Sequence, residues 1–196
     1  MIKVYHRKRQ EHEDLSALAW NLLDEACCRE GIEGVRGRII LGPNKKPYID
    51  DNAIFFNLSH SGDYALCVLC DTEVGCDIQQ IRKMRQSVLD RCFHSGEKAY
   101  ILEGETEEER ARRFTRIWVL RESYIKQTGE GLNRDLHTFY FSIEDNCPVL
   151  YIQTESEEQY VPAEIVFNEF PVGDCLCAVC YEPKKANSLS RLLTEP

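Results

Sequence analysis

Three groups of residues have the types and spacing that chemistry needs. Asp77 is the charged residue in the otherwise apolar run Val74-Gly75-Cys76-Asp77-Ile78. It follows a glycine that lets another group approach the strand closely. Its plainest reading is a strand-end aspartate facing water; the alternative is a metal ligand. Trp118, Glu122 and Lys126 recur every four residues and share one helix face. That pattern by itself is a surface Glu–Lys pair worth a few tenths of a kcal/mol, roughly 0.2–0.5. The tryptophan on the same stripe argues for a packed face, where a carboxylate and an amine usually have a task or a partner. One or two carboxylates suffice for Mg²⁺ when substrate phosphates and water complete its octahedron. Asp77 and Glu122 form such a pair if a helix packs on the strand that carries Asp77.

The third group is Ser59-His60-Ser61-Gly62, directly after the apolar stretch Ile54-Phe55-Phe56. It reads either as a turn with an exposed histidine or as a strand-end cradle for an anion. Ser59 and His60 do not suit a nucleophile pair, because neighbouring strand side chains diverge. Lys46 before Pro47 is a solvated loop lysine or a phosphate contact. Glu97 follows the helix-cap candidate Ser95, where an acid suits the first turn. His6-Arg7-Lys8-Arg9 is the densest basic cluster and reads as a solvated end.

The elements that must position these residues alternate between helix and strand. Helical spacing predicts a first helix over Leu15 to Cys28, and a longest one over Glu109 to Gln127 ended by Gly129 and Gly131. A shorter helical stretch runs over Arg85 to Cys92 and another follows Ser95. Strands are predicted at Ile54–Leu58, Tyr64–Cys70, Val74–Ile78, Thr138–Ile143, Val149–Thr154, Ala163–Asn168 and Asp174–Tyr181. Gly42 to Pro47 is a turn-rich loop. The tail from Glu182 is expected to be loose. The outline is α+β, with two helix-plus-meander halves meeting near residues 80–90.

Composition bounds the rest. With 196 residues, 43% hydrophobic and 29% charged, the chain has the make-up of an ordinary globular protein. A net charge of −9 argues against broad nucleic-acid binding, which requires basic surface. No apolar run approaches the ~20 residues of a membrane span, and the basic start has no apolar stretch behind it. A cytoplasmic protein is expected. Ten cysteines in that setting are expected to be thiols. The CxxC pairs Cys67/Cys70 and Cys177/Cys180 both fall in strands. There, positions three apart face opposite sides, so neither pair suits one zinc ion.

Taken in order, these clusters resemble the Sfp-type 4′-phosphopantetheinyl transferases. That family shows a G-K-P-Y-like loop, N-[IL]-S-H-S, [VI]-G-[VIC]-D-[IV]-x, F-x-x-x-E, and W-x-x-[KR]-E-[AS]-[YF]-x-K followed by G-x-G-L. Here they stand as Lys45-Lys46-Pro47-Tyr48, Asn57 to Ser61, Val74 to Gln79, Phe93 to Glu97, and Trp118 to Lys126 with Gly129-Glu130-Gly131-Leu132. The resemblance covers residues 44 to 181.

The resemblance implies a pseudo-dimer of two similar α+β lobes with the active site in the cleft between them, residues 1–83 forming one lobe and 84–196 the other. It implies transfer of phosphopantetheine from coenzyme A to a serine of an apo acyl- or peptidyl-carrier protein, with release of 3′,5′-ADP. By it, Asp77 and Glu122 hold Mg²⁺, or Mn²⁺, on the coenzyme A diphosphate. Lys126 contacts that diphosphate. Lys46, Ser59 and His60 hold the 3′-phosphate end, and Glu97 or Glu122 takes the serine proton. Gln79 stands where many members carry a second acid. The first lobe is short, and His6, Arg7, Lys8 and Arg9 are the candidates for the basic contact that larger members place there. One chain with both lobes is expected to be a monomer, and Ile81-Arg82-Lys83-Met84-Arg85 is a candidate docking patch for the carrier. The competing readings are a non-catalytic coenzyme A or nucleotide-binding module on the same fold and a metal-dependent phosphohydrolase.

Overall fold

The computed structural model describes residues 1–42, 44–50, 54–131, 134–154 and 159–184. Pro43, Leu132 and the tail from Lys185 lie outside the described residues. The chain runs through β1 (Ile2–Lys8), α1 (Leu15–Arg29), a 3₁₀ turn (Val35–Arg38), β2 (Ile39–Leu41), β3 (Pro47–Ile49), β4 (Phe55–Ser61), β5 (Tyr64–Cys70) and β6 (Val74–Gln80). It continues through α2 (Gln86–Cys92), α3 (Ser95–Leu102), α4 (Glu107–Thr128), β7 (Phe139–Glu144), β8 (Cys147–Gln153), β9 (Tyr160–Pro162), β10 (Val166–Val172) and β11 (Cys175–Tyr181).

Two three-stranded antiparallel sheets make the frame, ordered β1-β5-β4 and β6-β11-β10. They repeat one plan. In each half the first strand pairs with the last, and the last pairs with the one before it. A long helix follows the first strand in the first half, and two short helices and a long one do so in the second. β6 is thus the opening strand of the second half, so the strand pairing changes over at residues 71–73.

Alternation along the strands builds the core in layers. Cys67 and Leu69 of β5 pack under α1 with Leu18, Leu22 and Leu23. Leu66, Val68 and Cys70 turn the other way, into a central cluster with Cys76, Ile78, Cys177 and Val179. Ala178 and Cys180 face α4 with Ile117, Leu120 and Tyr124. The CxxC sulfurs therefore do divide between faces: Cys67 from Cys70, and Cys177 from Cys180.

The helix ends follow local rules. Asp14 caps α1 by accepting from the Ala17 N–H at 2.8 Å. Thr106 caps α4 in the same way, and Glu107, Glu108 and Glu109 in its first turn suit the positive end of the helix dipole. Gly129 at φ +71° terminates it in the left-handed conformation that glycine adopts without strain. The cap of α3 is His94 rather than Ser95. Its ring accepts from Gly96 N–H while Glu97 reaches back to the His94 N–H, a capping box.

The basic N-terminus forms β1 against β5 as far as Lys8, with His6, Lys8 and Arg9 exposed and both arginines ion-paired within the chain. Arg7 binds Glu13 at 2.6 Å and also Glu25, and Arg9 binds Asp63 at 2.8 Å.

Candidate functional site

β4 and β6 lie side by side, and side chains join them. Asn57 Oδ1 accepts from the Cys76 N–H at 2.9 Å. Ser59 Oγ accepts from Ile78 N–H at 3.3 Å, and Ser61 Oγ from Gln80 N–H at 3.1 Å. Alternate residues of β4 thus satisfy alternate amides of β6 where a further strand would otherwise be needed. Short polar side chains are required at these three positions because they must span one strand spacing and end in an acceptor. The Asn57-Leu58-Ser59-His60-Ser61 motif therefore lies inside a strand, not in a turn after one. Ser59 faces β6, and His60 is exposed on the opposite face, so the two do not form one cradle.

α4 lies directly on β6 at Gly75. A Cβ there would overlap the Ser123 carbonyl oxygen and the Gln127 nitrogen, so only glycine lets the helix backbone come this close. That approach brings Lys126 onto Asp77. The Lys126 ammonium lies 2.6 Å from Asp77 Oδ1 and 2.9 Å from Ser59 Oγ, while Ser59 donates to the same oxygen at 2.8 Å. The other oxygen, Oδ2, accepts from Gln79 Nε2 at 3.0 Å. Asp77 is 2% exposed, and the Lys126 side chain 29%.

Glu122, one turn before Lys126, joins this cluster. Desolvation by burial holds its carboxyl above the usual range, and the negative charge of Asp77 pushes it further in the same direction. Lys126 and Arg121 oppose that shift without cancelling it. Lys126 itself is held above its ordinary value: burial works against its charge, but Asp77, Cys76 and Glu122 outweigh it. Among the described residues no group of three or more His, Cys, Asp and Glu is arranged to hold a metal ion. Asp77 and Glu122 are two. The buried Asp77 and the partly buried Glu122 are a pair of carboxylates that fits a hard divalent cation whose other ligands come from phosphate oxygens.

Two residues expected at the site have other work. The Lys46 ammonium is buried and donates to Glu73 at 2.7 Å, Gln127 O at 2.9 Å and Val74 O at 3.3 Å. These three bonds use all its protons and tie the β2–β3 connection to the end of α4, so no proton is left for a phosphate. Glu97 is wholly buried. Its Oε1 accepts from Arg121 and Phe141 N–H, and its Oε2 from Arg121 and His94 N–H, at 2.8–2.9 Å. Arg121 is itself buried, stacked 4.3 Å from the Phe139 ring centroid. Glu97 and Arg121 therefore lock α3, α4 and β7 together, and Glu97 has no free oxygen for a serine proton.

Sequence reasoning missed the Asn57 and Ser61 rungs and the Glu97–Arg121 pair. The available signals were the i, i+2 spacing of short polar residues and the arginine that interrupts the apolar stripe of α4. A surface cavity of about 610 Å³ bordered by Arg113, Arg116, Glu169 and Leu176 contains none of the candidate residues.

Comparison with known proteins follows the same residues. The family model of the 4′-phosphopantetheinyl transferase superfamily matches residues 73–180, from β6 through β11. 4′-Phosphopantetheinyl transferase Sfp of Bacillus subtilis (strain 168) is 33% identical over 136 residues, covering 69% of this chain and 58% of that protein. AcpT of Salmonella typhimurium is 35% identical over 137 residues, 59% of this chain and 71% of that one. The gsp transferase of Aneurinibacillus migulanus is 27% identical over 130 residues, 66% and 54% respectively. Against the curated relatives gsp and psf-1, the chain spans about half of each one's length or less, 54% and 41%. The solved structure of Thermotoga maritima holo-[acyl-carrier-protein] synthase aligns at 19% identity and a TM-score of 0.45 over 59% of this chain and 66% of that one. The family match takes in more than half of the chain, including Asp77, Glu122 and Lys126, and the protein belongs to the 4′-phosphopantetheinyl transferase superfamily.

Proposed function

We propose that this protein transfers the 4′-phosphopantetheine arm of coenzyme A to a serine of an apo acyl- or peptidyl-carrier protein, releasing 3′,5′-ADP. The observation that carries the proposal is the contact of Lys126 with Asp77 where α4 lies on β6, with Glu122 one turn away on the same helix, inside the family match.

In this reading Asp77 and Glu122 hold Mg²⁺, with Mn²⁺ as a substitute. When bound, the cation neutralises charge on the diphosphate of coenzyme A. Lys126 turns to a diphosphate oxygen and stabilises the charge that grows as the bond to 3′,5′-ADP breaks. Phosphoryl transfer depends mainly on such positioning and neutralisation. The serine oxygen attacks the phosphorus that carries pantetheine, and its proton passes to a carboxylate. Glu122 is the better acceptor of the two glutamates, because the oxygens of Glu97 are all engaged within the chain. Ser59 holds Asp77 and Lys126 in place, while the exposed His60 is left to contact the 3′-phosphate end.

The two halves of one chain are read as the two lobes, with coenzyme A between them, in a cytoplasmic monomer. No helix among the described residues is long and apolar enough to cross a membrane. The segment Ile81–Arg85 is the proposed carrier contact; Arg82 and Lys83 there are exposed.

The test is incubation with coenzyme A, Mg²⁺ and an apo carrier protein, read by intact mass. A gain of one phosphopantetheine on the carrier supports transfer. Release of 3′,5′-ADP without carrier would make the protein a hydrolase, and binding of coenzyme A with neither outcome would make it a binding module.

A further inference from the structure

Both carboxylate oxygens of Asp77 already accept from donors of this chain. Lys126 and Ser59 reach Oδ1 at 2.6 and 2.8 Å, and Gln79 reaches Oδ2 at 3.0 Å. The Lys126 ammonium lies where a cation bound to that carboxylate would lie, and the Gln79 amide presents N–H, a group no metal can use, to the second oxygen. A cation arriving alone would meet a fixed positive charge within a few ångströms, in a setting where such repulsion is only weakly screened.

From this we infer that Lys126 serves as the built-in cation of the empty site. A divalent metal is then accepted only together with a diphosphate, whose oxygens draw Lys126 away from Asp77. The ligand of the site is the metal–diphosphate ester as one unit. This deepens the proposed transfer and rests on it for the identity of the diphosphate. Metal and coenzyme A then raise one another's affinity by the same factor, as linkage requires. Ser59 is the positioning residue of the exchange, since its hydroxyl touches both partners. Gln79, being neutral, donates to Asp77 without adding negative charge to the empty site.

The test uses Mn²⁺ as the probe and binding as the readout, by the loss of its free paramagnetic resonance signal. The wild-type chain is expected to bind Mn²⁺ weakly alone and at least about tenfold more tightly with saturating coenzyme A. Lys126→Met is expected to bind Mn²⁺ alone about tenfold more tightly than wild type, since one opposing charge is gone. Asp77→Asn abolishes that gain and identifies the site. Should Lys126→Met fail to fold, Lys126→Gln keeps a donor to Asp77 without the charge and is expected to move in the same direction. Lysine variants that fold and bind Mn²⁺ no better than wild type overturn the inference, even if carrier transfer is intact. Absence of transfer to any carrier, with the lysine effect present, removes the proposed function and leaves a metal-gated site.

Discussion

Arg121 Nη1 lies 2.8 Å from one oxygen of Glu97 and 2.9 Å from the other, with both side chains shut away from solvent. Removing one member of such a pair strands a buried charge, at a cost of about 3–5 kcal/mol. Glu97→Gln and Arg121→Met are each expected to lower the unfolding free energy measured in urea by an amount in that range. The double variant is expected to lose less than the sum of the two. Glu97→Gln at full stability but without transfer would restore Glu97 as the proton acceptor.

Gly75 gives a second prediction. In Gly75→Ala the new methyl overlaps the backbone of α4 at Ser123 and Gln127. Overpacking of this kind costs about 1–3 kcal/mol, and more when backbone cannot move aside. The same shift separates Lys126 and Glu122 from Asp77. Unfolding measurements and a transfer assay on the folded fraction are expected to show both losses together.

Asp77→Ala leaves the metal with one carboxylate. Transfer is expected to fall by about a hundredfold or more, the scale of losing one preorganised electrostatic group. Mass spectrometry of the carrier at matched times measures it.

For Glu122 the sign of the pH effect can be worked out. Its folded value lies above the ordinary 4.5, so the folded state holds the proton more tightly than the unfolded chain. The ionised form therefore costs stability once pH rises past the unfolded value and through the folded one. Glu122→Gln, without metal, is expected to be more stable than wild type at neutral pH. The advantage shrinks to nothing as pH falls below about 4. Thermal unfolding across that window checks it, and an advantage unchanged with pH would point to packing instead.

Charge reversal at Arg82 and Lys83 is expected to raise KM for the carrier severalfold with little change in kcat. These side chains are exposed and touch none of the reacting groups.

Much of this architecture could be read in the sequence because its signals are local. Strand β5 was legible over all seven residues, since Tyr64 to Cys70 is an unbroken apolar run, and α4 to within two residues at each end. The glycine before Asp77 and the stripe of α4 pointed to a close approach of helix and strand, which Gly75 against Ser123 and Gln127 provides, whereas the Lys126–Asp77 bond itself was not foreseen. β1 was not legible, because four successive basic or imidazole side chains hid the alternation of Ile2 and Val4. The polar residues of β4 look like turn formers until their partners on β6 are known. Lys46 and Glu97 have residue types that suit catalysis equally well, and only their burial and their bonds to Gln127, Glu73 and Arg121 reveal their structural work. Such long-range pairings leave no trace in composition or periodicity.

The first-with-last pairing of each sheet sets an order of assembly. β1 finds β5 within the first 70 residues, so the opening half has its full set of backbone partners early. β6, which carries Asp77, emerges next but stays without its ladder until Cys175–Tyr181 has been made, about a hundred residues later. Until then the Asn57, Ser59 and Ser61 side chains are what can hold it, and loss of the last strand would disarm a carboxylate encoded far upstream.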